Sequence, residues 1–317
     1  MADPILQVEH LKQYFPAGGG SMLHAVDDVS FTIEKGKTLG VVGESGCGKS
    51  TLGRSILRLI EPTAGRVIFN GTDVSSLNER EMRKARKDMQ IIFQDPFSSV
   101  DPRKTVFQII SESIITQRLL TGKKEIEQRV LELMNTVGLA ERLVNTYPHE
   151  LDGGRRQRIG IARALAMDPK FIVCDEPVSA LDVSIQAQIL NLLKKLQRER
   201  GLTYLFITHD LAVVHHLADE IIVMYLGRIV EKAPAMELFE HPMHTYTQAL
   251  LSAIPIPEIL PDRKRILLQG EISSPIDPPD ECRFAKRCYR ACEECRRGEP
   301  QLQEVTPGHF VACALPR

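Results

Sequence analysis

Short apolar stretches, several of them alternating with polar residues, recur along the chain and predict β-strands. Turn-forming residues separate them, and the run of three glycines at 18–20 is the clearest such break. The predicted strands cover residues 5–9, 29–33, 41–42, 66–70, 171–174, 203–207 and 221–224.

Other stretches carry apolar residues at three- and four-residue spacing, which is the period of an amphipathic helix. The predicted helices cover residues 51–60, 106–115 and 126–134. The chain is helical in character from about 103 to 146, and strands then alternate with helices. This order predicts a mainly parallel sheet with crossover helices and one helical insert.

The stretch between the predicted strand at 41–42 and the predicted helix at 51–60 fits the pattern G-x-x-x-x-G-K-[ST]. A glycine loop between a strand and a helix N-terminus presents backbone N–H groups to an anion. Lys49 can reach the outer phosphates, and the Ser50 hydroxyl can ligate Mg²⁺. We therefore predict a nucleoside triphosphate site, not a structural turn. Its residues are Gly43, Glu44, Ser45, Gly46, Cys47, Gly48, Lys49, Ser50 and Thr51.

Two carboxylates, Asp175 and Glu176, follow the predicted strand at 171–174. In this position Asp175 can hold the Mg²⁺ shell, and Glu176 can polarise an attacking water. A charged strand terminus without function is the alternative for these two residues alone. Because they follow a phosphate loop and a helical insert, the hydrolytic interpretation is favoured.

Composition narrows the classes of function. The formal net charge of −1 gives no signal for nucleic acid or an anionic membrane surface. The apolar runs are much shorter than the ~18 residues of a membrane helix, and the N-terminus shows no export signal. We expect a cytoplasmic protein that contacts a membrane only through partners.

The end of the chain differs from the rest. Prolines are frequent from about residue 255, which predicts a linker, and five of the seven cysteines follow it. In a reducing compartment such a cluster favours a metal over disulfides. These cysteines are Cys282, Cys288, Cys292, Cys295 and Cys313.

Taken together, these motifs resemble the ATP-binding subunits of ABC transporters over roughly residues 4–317. Gln94, in the stretch 93–96, resembles the Q-loop glutamine, which would reach Mg²⁺ and the water. His209 resembles the switch histidine that contacts the γ-phosphate. Phe15 resembles the aromatic residue that stacks on adenine, and Tyr14 is the alternative for that role. The D-loop would be Ser179, Ala180, Leu181 and Asp182.

The resemblance implies a fold and a domain organisation. The fold would be an α/β P-loop NTPase core of the ABC type, with an antiparallel β subdomain, a helical insert and a small cysteine-rich C-terminal module. The ATPase domain would span residues 1–254, with the helical subdomain at about 97–165. The tail would span residues 255–317.

The signature motif departs from the family pattern. The family usually reads Leu-Ser-Gly-Gly-Gln where this chain has Leu151, Asp152, Gly153, Gly154 and Arg155. In the family this motif completes the ATP site of the opposite subunit, and a carboxylate there would repel phosphate. Arg155 could offset part of the charge, or Asp152 could simply cap the following helix. We expect the chain to work in an asymmetric heterodimer with a sister ATPase subunit.

The tail resembles that of oligopeptide and dipeptide importer ATPases. The whole chain most resembles the second, F-type, ATPase subunit of those permeases. The implied partners are the sister ATPase, two transmembrane permease subunits and, indirectly, an extracytoplasmic peptide-binding protein, with no nucleic acid. The chain would lie on the cytoplasmic face of the membrane. A nickel importer ATPase and a soluble ABC mechanoenzyme without transport function are the alternatives.

The resemblance also gives a ligand set for the metal. Family cysteines match Cys282, Cys288, Cys295 and Cys313, while Cys292 is surplus. Four thiolates suit a [4Fe–4S] cluster or a tetrahedral Zn²⁺. We expect the cluster, with zinc and a set of free thiols as alternatives. The implied small-molecule requirements are ATP and Mg²⁺.

Overall fold

The computed structural model describes residues 4–95, 99–254, 265–268, 270 and 274–315. The predicted proline-rich linker lies largely outside these residues. The strands are β1 (Pro4–Gly18), β2 (Ser21–Glu34), β3 (Thr38–Val42), β4 (Ala64–Phe69), β5 (Thr72–Asp73), β6 (Met89–Ile92), β7 (Phe171–Asp175), β8 (Thr203–Ile207), β9 (Glu220–Tyr225), β10 (Arg228–Pro234), β11 (Gln303–Thr306) and β12 (His309–Val311).

The three helices whose bounds the sequence predicts are present, whereas the helix at 79–88 and the short helices near the end were not predicted. They are α1 (Lys49–Ile56), α2 (Glu79–Asp88), α3 (Val106–Thr116), α4 (Lys123–Thr136), α5 (Gly153–Leu165), α6 (Val183–Arg200), α7 (Leu211–Leu217), α8 (Ala235–Glu240) and α9 (Thr245–Ser252). None of the described helices is long and apolar enough to cross a membrane.

The chain forms two compact units, and the boundary between them on the C-terminal side falls within β8. The first unit contains residues 1–76 and 206–317, and the second contains residues 77–205. The first unit is therefore built from both ends of the chain.

An antiparallel sheet in the order β2-β1-β4-β5 forms one layer of the first unit. Its long hairpin turns at Gly18, Gly19 and Gly20, which all have positive φ, as the glycine run predicted. The buried positions of β1 and β2 alternate over much of their length, which places one face of the sheet on the core.

A second sheet of the first unit is mixed. β3 pairs in parallel with β9, with Leu39 opposite Glu220, and both strands are almost entirely buried. β9 continues antiparallel to β10, which pairs with β12, and β12 with β11. The predicted parallel pairing is thus correct here, but the pattern missed the antiparallel extension, which the tail completes.

The described part of the tail packs within the first unit, against β9 and α9. Phe284 is 1% exposed, and its ring lies 5.1 Å from that of Tyr225 and 5.3 Å from that of Tyr246. Full burial of such a side chain contributes about 1.5–3 kcal/mol. A separate contact joins Asp277 to the start of β2, where its backbone N–H donates to the Met22 carbonyl at 3.0 Å.

The second unit contains the helical insert. β6 and β7 pair in parallel, with Met89 opposite Phe171. α3, α4 and α5 pack against one another through buried apolar side chains. Capping boxes begin α2 at Asn78 and α3 at Thr105.

Helix boundaries show where local chemistry overrides periodicity. The helix predicted at 51–60 begins at Lys49 and ends at Ile56. Arg58 has a φ of 49°, a left-handed conformation that ends the helix, and its guanidinium donates to the Val74 carbonyl at 3.0 Å.

Candidate functional site

The predicted phosphate loop connects β3 to α1, as the motif requires. Lys49 is the first residue of α1 and is 4% exposed. Its ammonium donates to the carbonyls of Gly43 at 2.8 Å and Glu44 at 2.9 Å. The loop therefore holds a buried cation beside the positive end of the helix, which is the electrostatic arrangement of a phosphate site.

Two glycines of the loop are required by geometry. Gly48 has a φ of 105°, and a Cβ there would lie 1.9 Å from the Ala25 carbonyl oxygen. Gly43 has a φ of 155°, and a Cβ there would lie 2.2 Å from the Met224 carbonyl oxygen. The loop thus passes too close to neighbouring backbone for any side chain at these positions.

The other loop residues divide by exposure. Ser45 and Gly46 are exposed, Ser50 and Thr51 are half-buried, and Cys47 is buried. Burial raises the pKa of the Cys47 thiol against the opposing effect of the Lys49 charge. Cys47 is therefore a neutral packing residue of the loop.

The aromatic pair Tyr14 and Phe15 lies in β1. Tyr14 stacks on His24 with ring centroids 3.9 Å apart, and its hydroxyl donates to Asp27 at 2.5 Å. Phe15 is half-buried. Because Tyr14 already has these partners, Phe15 is the better candidate for stacking on a base.

His209 follows β8 and is exposed. The residues on either side fix its position. The Thr208 N–H donates to the Val41 carbonyl at 3.1 Å, and the Asp210 carboxylate caps α7 by accepting from the Ala212 N–H at 2.8 Å. The segment that carries the predicted switch histidine is therefore tied to β3, the strand that leads into the phosphate loop.

The second unit brings Gln94 and Glu176 together. The Gln94 amide donates to the Glu176 carboxylate at 3.1 Å. Asp175, the last residue of β7, is 1% exposed. Glu176 has a φ of 46°, and the Ser179 hydroxyl donates to its carbonyl at 3.1 Å. Left-handed backbone at a non-glycine residue is strained and concentrates at functional sites.

The predicted D-loop connects β7 to α6. The Gln186 amide holds it from within α6, donating to the carbonyls of Val178 and Leu181 at 3.0 Å each. Asp182 is the N-cap residue of α6, and Ala180 is exposed. The backbone of the predicted D-loop is therefore fixed by α6.

Asp152 caps α5. Its carboxylate accepts from the Arg155 N–H at 2.8 Å, and the Arg155 guanidinium lies 3.4 Å from its other oxygen. The capping interpretation of Asp152 is thus confirmed. Gly153 and Gly154 begin the helix, and a Cβ on Gly154 would lie 2.7 Å from the Ile185 side chain.

The five tail cysteines line one small cavity of about 20 Å³ in the first unit. The sulfurs of Cys292 and Cys295 lie 3.6 Å apart. Burial raises the pKa of Cys282 to about 12. Among the described residues, however, no group of three or more His, Cys, Asp or Glu side chains is arranged to hold a metal ion. The structure gathers the predicted ligands without forming a metal site.

Sequence reasoning missed two contacts of the phosphate loop. Arg287 of the tail forms a two-point ion pair with Glu44, at 2.6 and 3.0 Å. The Tyr246 hydroxyl accepts from the Glu44 N–H at 2.8 Å. These partners lie 243 and 202 positions away along the chain, so no local pattern could reveal them.

Family models match two parts of the chain. Residues 26–179 match the model described as ABC transporter, and residues 230–295 match the one described as oligopeptide/dipeptide transporter, C-terminal region.

Individual relatives extend the match to nearly the whole chain. The chain is 52% identical to the oligopeptide transport ATP-binding protein OppF of Bacillus subtilis, over 99% of this chain and 97% of that protein. It is 50% identical to AppF of the same organism, over 99% and 98%.

Solved structures share the fold. The ATP-binding cassette MJ0796, in a dimeric post-hydrolysis state with ADP and phosphate, is 31% identical with a TM-score of 0.67, over 73% of this chain and 98% of that one. CbiO1 of Clostridium perfringens is 30% identical with a TM-score of 0.67, over 75% and 92%.

A glycine loop with a buried lysine at the start of α1, and a strand followed by two carboxylates, fit a P-loop ATP hydrolase of the cassette type, the class that the family match shows. The chain belongs to the ABC transporter ATP-binding proteins that carry the oligopeptide/dipeptide transporter C-terminal region.

Proposed function

We propose that this chain hydrolyses ATP to energise an importer of dipeptides or oligopeptides, from the cytoplasmic face of the membrane. The observation that carries the proposal is that this chain matches both the ABC transporter model and the oligopeptide/dipeptide transporter C-terminal region. Oligopeptide transport ATP-binding proteins align with it along nearly its whole length. The implied partners are two transmembrane permease subunits, a sister ATPase and an extracytoplasmic peptide-binding protein.

Each site residue has a role in this reaction. Lys49 and the loop N–H groups bind the phosphates, and Phe15 stacks on adenine. By the family resemblance, Ser50, Gln94 and Asp175 would each serve as a Mg²⁺ ligand. Glu176 polarises the attacking water, and His209 contacts the γ-phosphate. The hydrogen bond from Gln94 to Glu176 supports the pairing of a metal-sensing amide with the base.

Uptake into proteoliposomes tests the substrate. The complex of this chain, its sister ATPase and the permease subunits is reconstituted with the binding protein, and uptake of labelled di- and oligopeptides is measured against uptake of Ni²⁺. We expect ATP-dependent peptide uptake that Glu176→Gln in this chain abolishes. Uptake of Ni²⁺ alone would favour the nickel alternative, and ATP turnover unaffected by the permease would favour a mechanoenzyme.

A heterodimer is the assembly that Asp152 favours. Its carboxylate caps α5. It carries negative charge at the position where the family's serine hydroxyl would donate to phosphate. Two unit charges ~4 Å apart interact by ~4 kcal/mol at an effective dielectric of ~20. Arg155 offsets part of this cost. A homodimer would carry two such weakened sites, whereas a sister subunit with an intact signature supplies one competent site.

ATP turnover of the chain alone and mixed with its sister subunit tests this assembly. We expect substantial turnover only in the mixture, and loss of it with Glu176→Gln. Asp152→Ser keeps an N-cap side chain and removes the charge, so it should give the isolated chain measurable cooperative turnover. Full turnover of the unmodified chain alone would contradict the asymmetric assembly.

The tail cysteines offer sulfur ligands that suit a metal group, although the described side chains are not arranged around one point. The side chains of Cys282, Cys288, Cys295 and Cys313 border one cavity, and they would bind a metal as thiolates. A tetrahedral Zn²⁺ requires its sulfurs within about 2.3 Å of one point, whereas a cluster spreads its thiolates more widely. We favour [4Fe–4S] over zinc because the family resemblance implies it and the cysteine spacings are looser than those of zinc knuckles. When bound, the group would supply a cross-link of the tail and a redox-active centre.

Metal analysis of anaerobically purified chain separates the alternatives. We expect iron and acid-labile sulfide at about four of each per chain, with the visible absorption of an iron–sulfur cluster. Cys288→Ser should remove them, while Cys292→Ser, the matched control, should keep them. Zinc without sulfide would support the mononuclear site, and absence of both metals would leave free thiols.

A further inference from the structure

Glu44 places a carboxylate on a loop that binds phosphates. It is the second residue of the phosphate-loop motif, and its side chain is partly buried, with 24% exposed. An uncompensated carboxylate beside a polyphosphate opposes binding, because like charges in a partly desolvated site repel strongly. The loop therefore needs a countercharge that does not compete with Lys49 for the nucleotide.

Arg287 supplies that countercharge from the tail. Its two terminal nitrogens lie 2.6 and 3.0 Å from the two carboxylate oxygens of Glu44. Such fork-to-fork pairing fixes orientation as well as charge. The Arg287 side chain is 7% exposed, so water screens the pair little. Lys49 does not share this carboxylate and is directed to the loop carbonyls.

An aromatic cluster fixes Arg287 and Glu44 relative to each other. The Arg287 guanidinium lies 5.8 Å from the ring centroid of Tyr225. Tyr225 is in edge contact with Phe284 and Tyr246, and the Tyr246 hydroxyl accepts from the Glu44 N–H. Both the side chain and the backbone of Glu44 are thus held by residues after position 224.

We propose that Arg287 is a positioning residue for ATP: by pairing with Glu44 it neutralises and orients the phosphate loop, so that the tail forms part of the nucleotide site. Arg287 does not contact the nucleotide and influences its binding only through Glu44. ATP, with more negative charge than ADP, benefits more from the neutralisation. The C-terminal region therefore sets nucleotide affinity in addition to any role of its cysteines.

Equilibrium binding of ATP and ADP to the full-length chain tests the proposal, with titration calorimetry as the readout. Arg287→Met is expected to weaken ATP binding about tenfold and ADP binding less. The double variant Arg287→Met with Glu44→Gln is expected to recover most of the ATP affinity, because the unpaired carboxylate is gone. If the tail only stabilised the fold, the double variant would not recover ATP affinity.

Two further variants keep the test decisive. Glu44→Gln alone leaves the tail arginine in place and is expected to bind ATP at least as tightly as the unmodified chain, which tests the charge even if Arg287→Met fails to fold. Arg297→Met, at an exposed arginine of the same tail, is the matched control and should not change either affinity. Weaker ATP binding by Glu44→Gln, equal losses for ATP and ADP, or no recovery in the double variant would overturn the proposal.

Discussion

Glu176, the proposed base, has a strained backbone conformation. Its φ of 46° costs a non-glycine residue roughly 1–2 kcal/mol. Hydrogen bonds from Gln94 to its carboxylate and from Ser179 to its carbonyl hold it there. Such a strained conformation persists only when neighbouring contacts maintain it. Here it orients the carboxylate that follows β7.

The variant Glu176→Gln keeps the size of the side chain and removes the proposed base. We expect kcat for ATP to fall by roughly 10²–10⁴-fold while ATP still binds, because general-base catalysis contributes on that scale. Turnover and nucleotide binding are measured on the mixed ATPase subunits. Glu199→Gln, at an exposed residue of α6, is the control. A loss of binding equal to the loss of turnover would count against the catalytic role.

Substitution of Gly48 tests how closely the loop packs against neighbouring backbone. Gly48→Ala forces a methyl group to within 1.9 Å of the Ala25 oxygen and is expected to lower the free energy of unfolding by roughly 3 kcal/mol or more. Gly36→Ala has a similar positive φ of 77° but meets no atom within 4 Å, so it should cost only about 1–2 kcal/mol. Chemical denaturation compares the two. Equal costs would mean that strain alone, not the close contact, requires glycine at 48.

At the scale of elements, β12 joins β10 through a buried ion pair. The His309 ring nitrogen lies 2.7 Å from Glu231, and both side chains are fully buried. Glu231 also accepts from the N–H groups of Met243 and His244, and Glu237 lies 3.7 Å from the other ring nitrogen of His309. The hydrogen bond to Glu231 raises the pKa of His309, against the opposing effect of burial.

This pair predicts a pH dependence. Because the folded pKa of His309 lies above the unfolded value near 6.5, its stabilisation is complete below that pH and is lost as pH rises through the folded pKa. His309→Gln should therefore cost about 1.5–3 kcal/mol near pH 6 and less near pH 9. Unfolding free energies at the two pH values measure the difference. A constant cost would indicate that His309 is neutral throughout.

The elements that the sequence predicted best are those with long or well-bounded patterns. α3 and α4 showed helical spacing, and β7 and β8 were short apolar runs. β12 has only three residues, which is too few for any period, and it exists because β10 offers an edge. The partners of Glu44 were equally invisible, since only the folded chain brings them to the loop.

For the molecule as a whole, the motifs predicted the class of fold correctly, and the glycine loop joins a strand to a helix as expected. The pattern also placed a linker and a small module after residue 255. The described part of that tail packs into the first unit through Phe284 and completes its mixed sheet with β12 and β11. Packing between distant parts of the chain, which no local pattern encodes, determines this arrangement.

Phe284→Ala tests the attachment of the tail. Removing a ring that contacts Tyr225 and Tyr246 should destabilise the packing by about 3–5 kcal/mol, and limited proteolysis should then cleave the tail faster. Tyr289→Ala, at a ring that is 55% exposed, serves as the comparison and should have a much smaller effect. Unchanged cleavage of the Phe284 variant would show that the hydrogen bonds and strands suffice.

The first unit is discontinuous in the chain, and this has a consequence for synthesis. β3 leaves the ribosome long before β9, its parallel neighbour, since 178 positions separate Val42 from Glu220. At about 5–20 residues per second, that interval lasts on the order of ten to thirty-five seconds. During it, the intervening residues 77–205 can collapse first, while the nascent apolar strands stay exposed to chaperones. A prematurely terminated chain would therefore lack the partners that shape the loop.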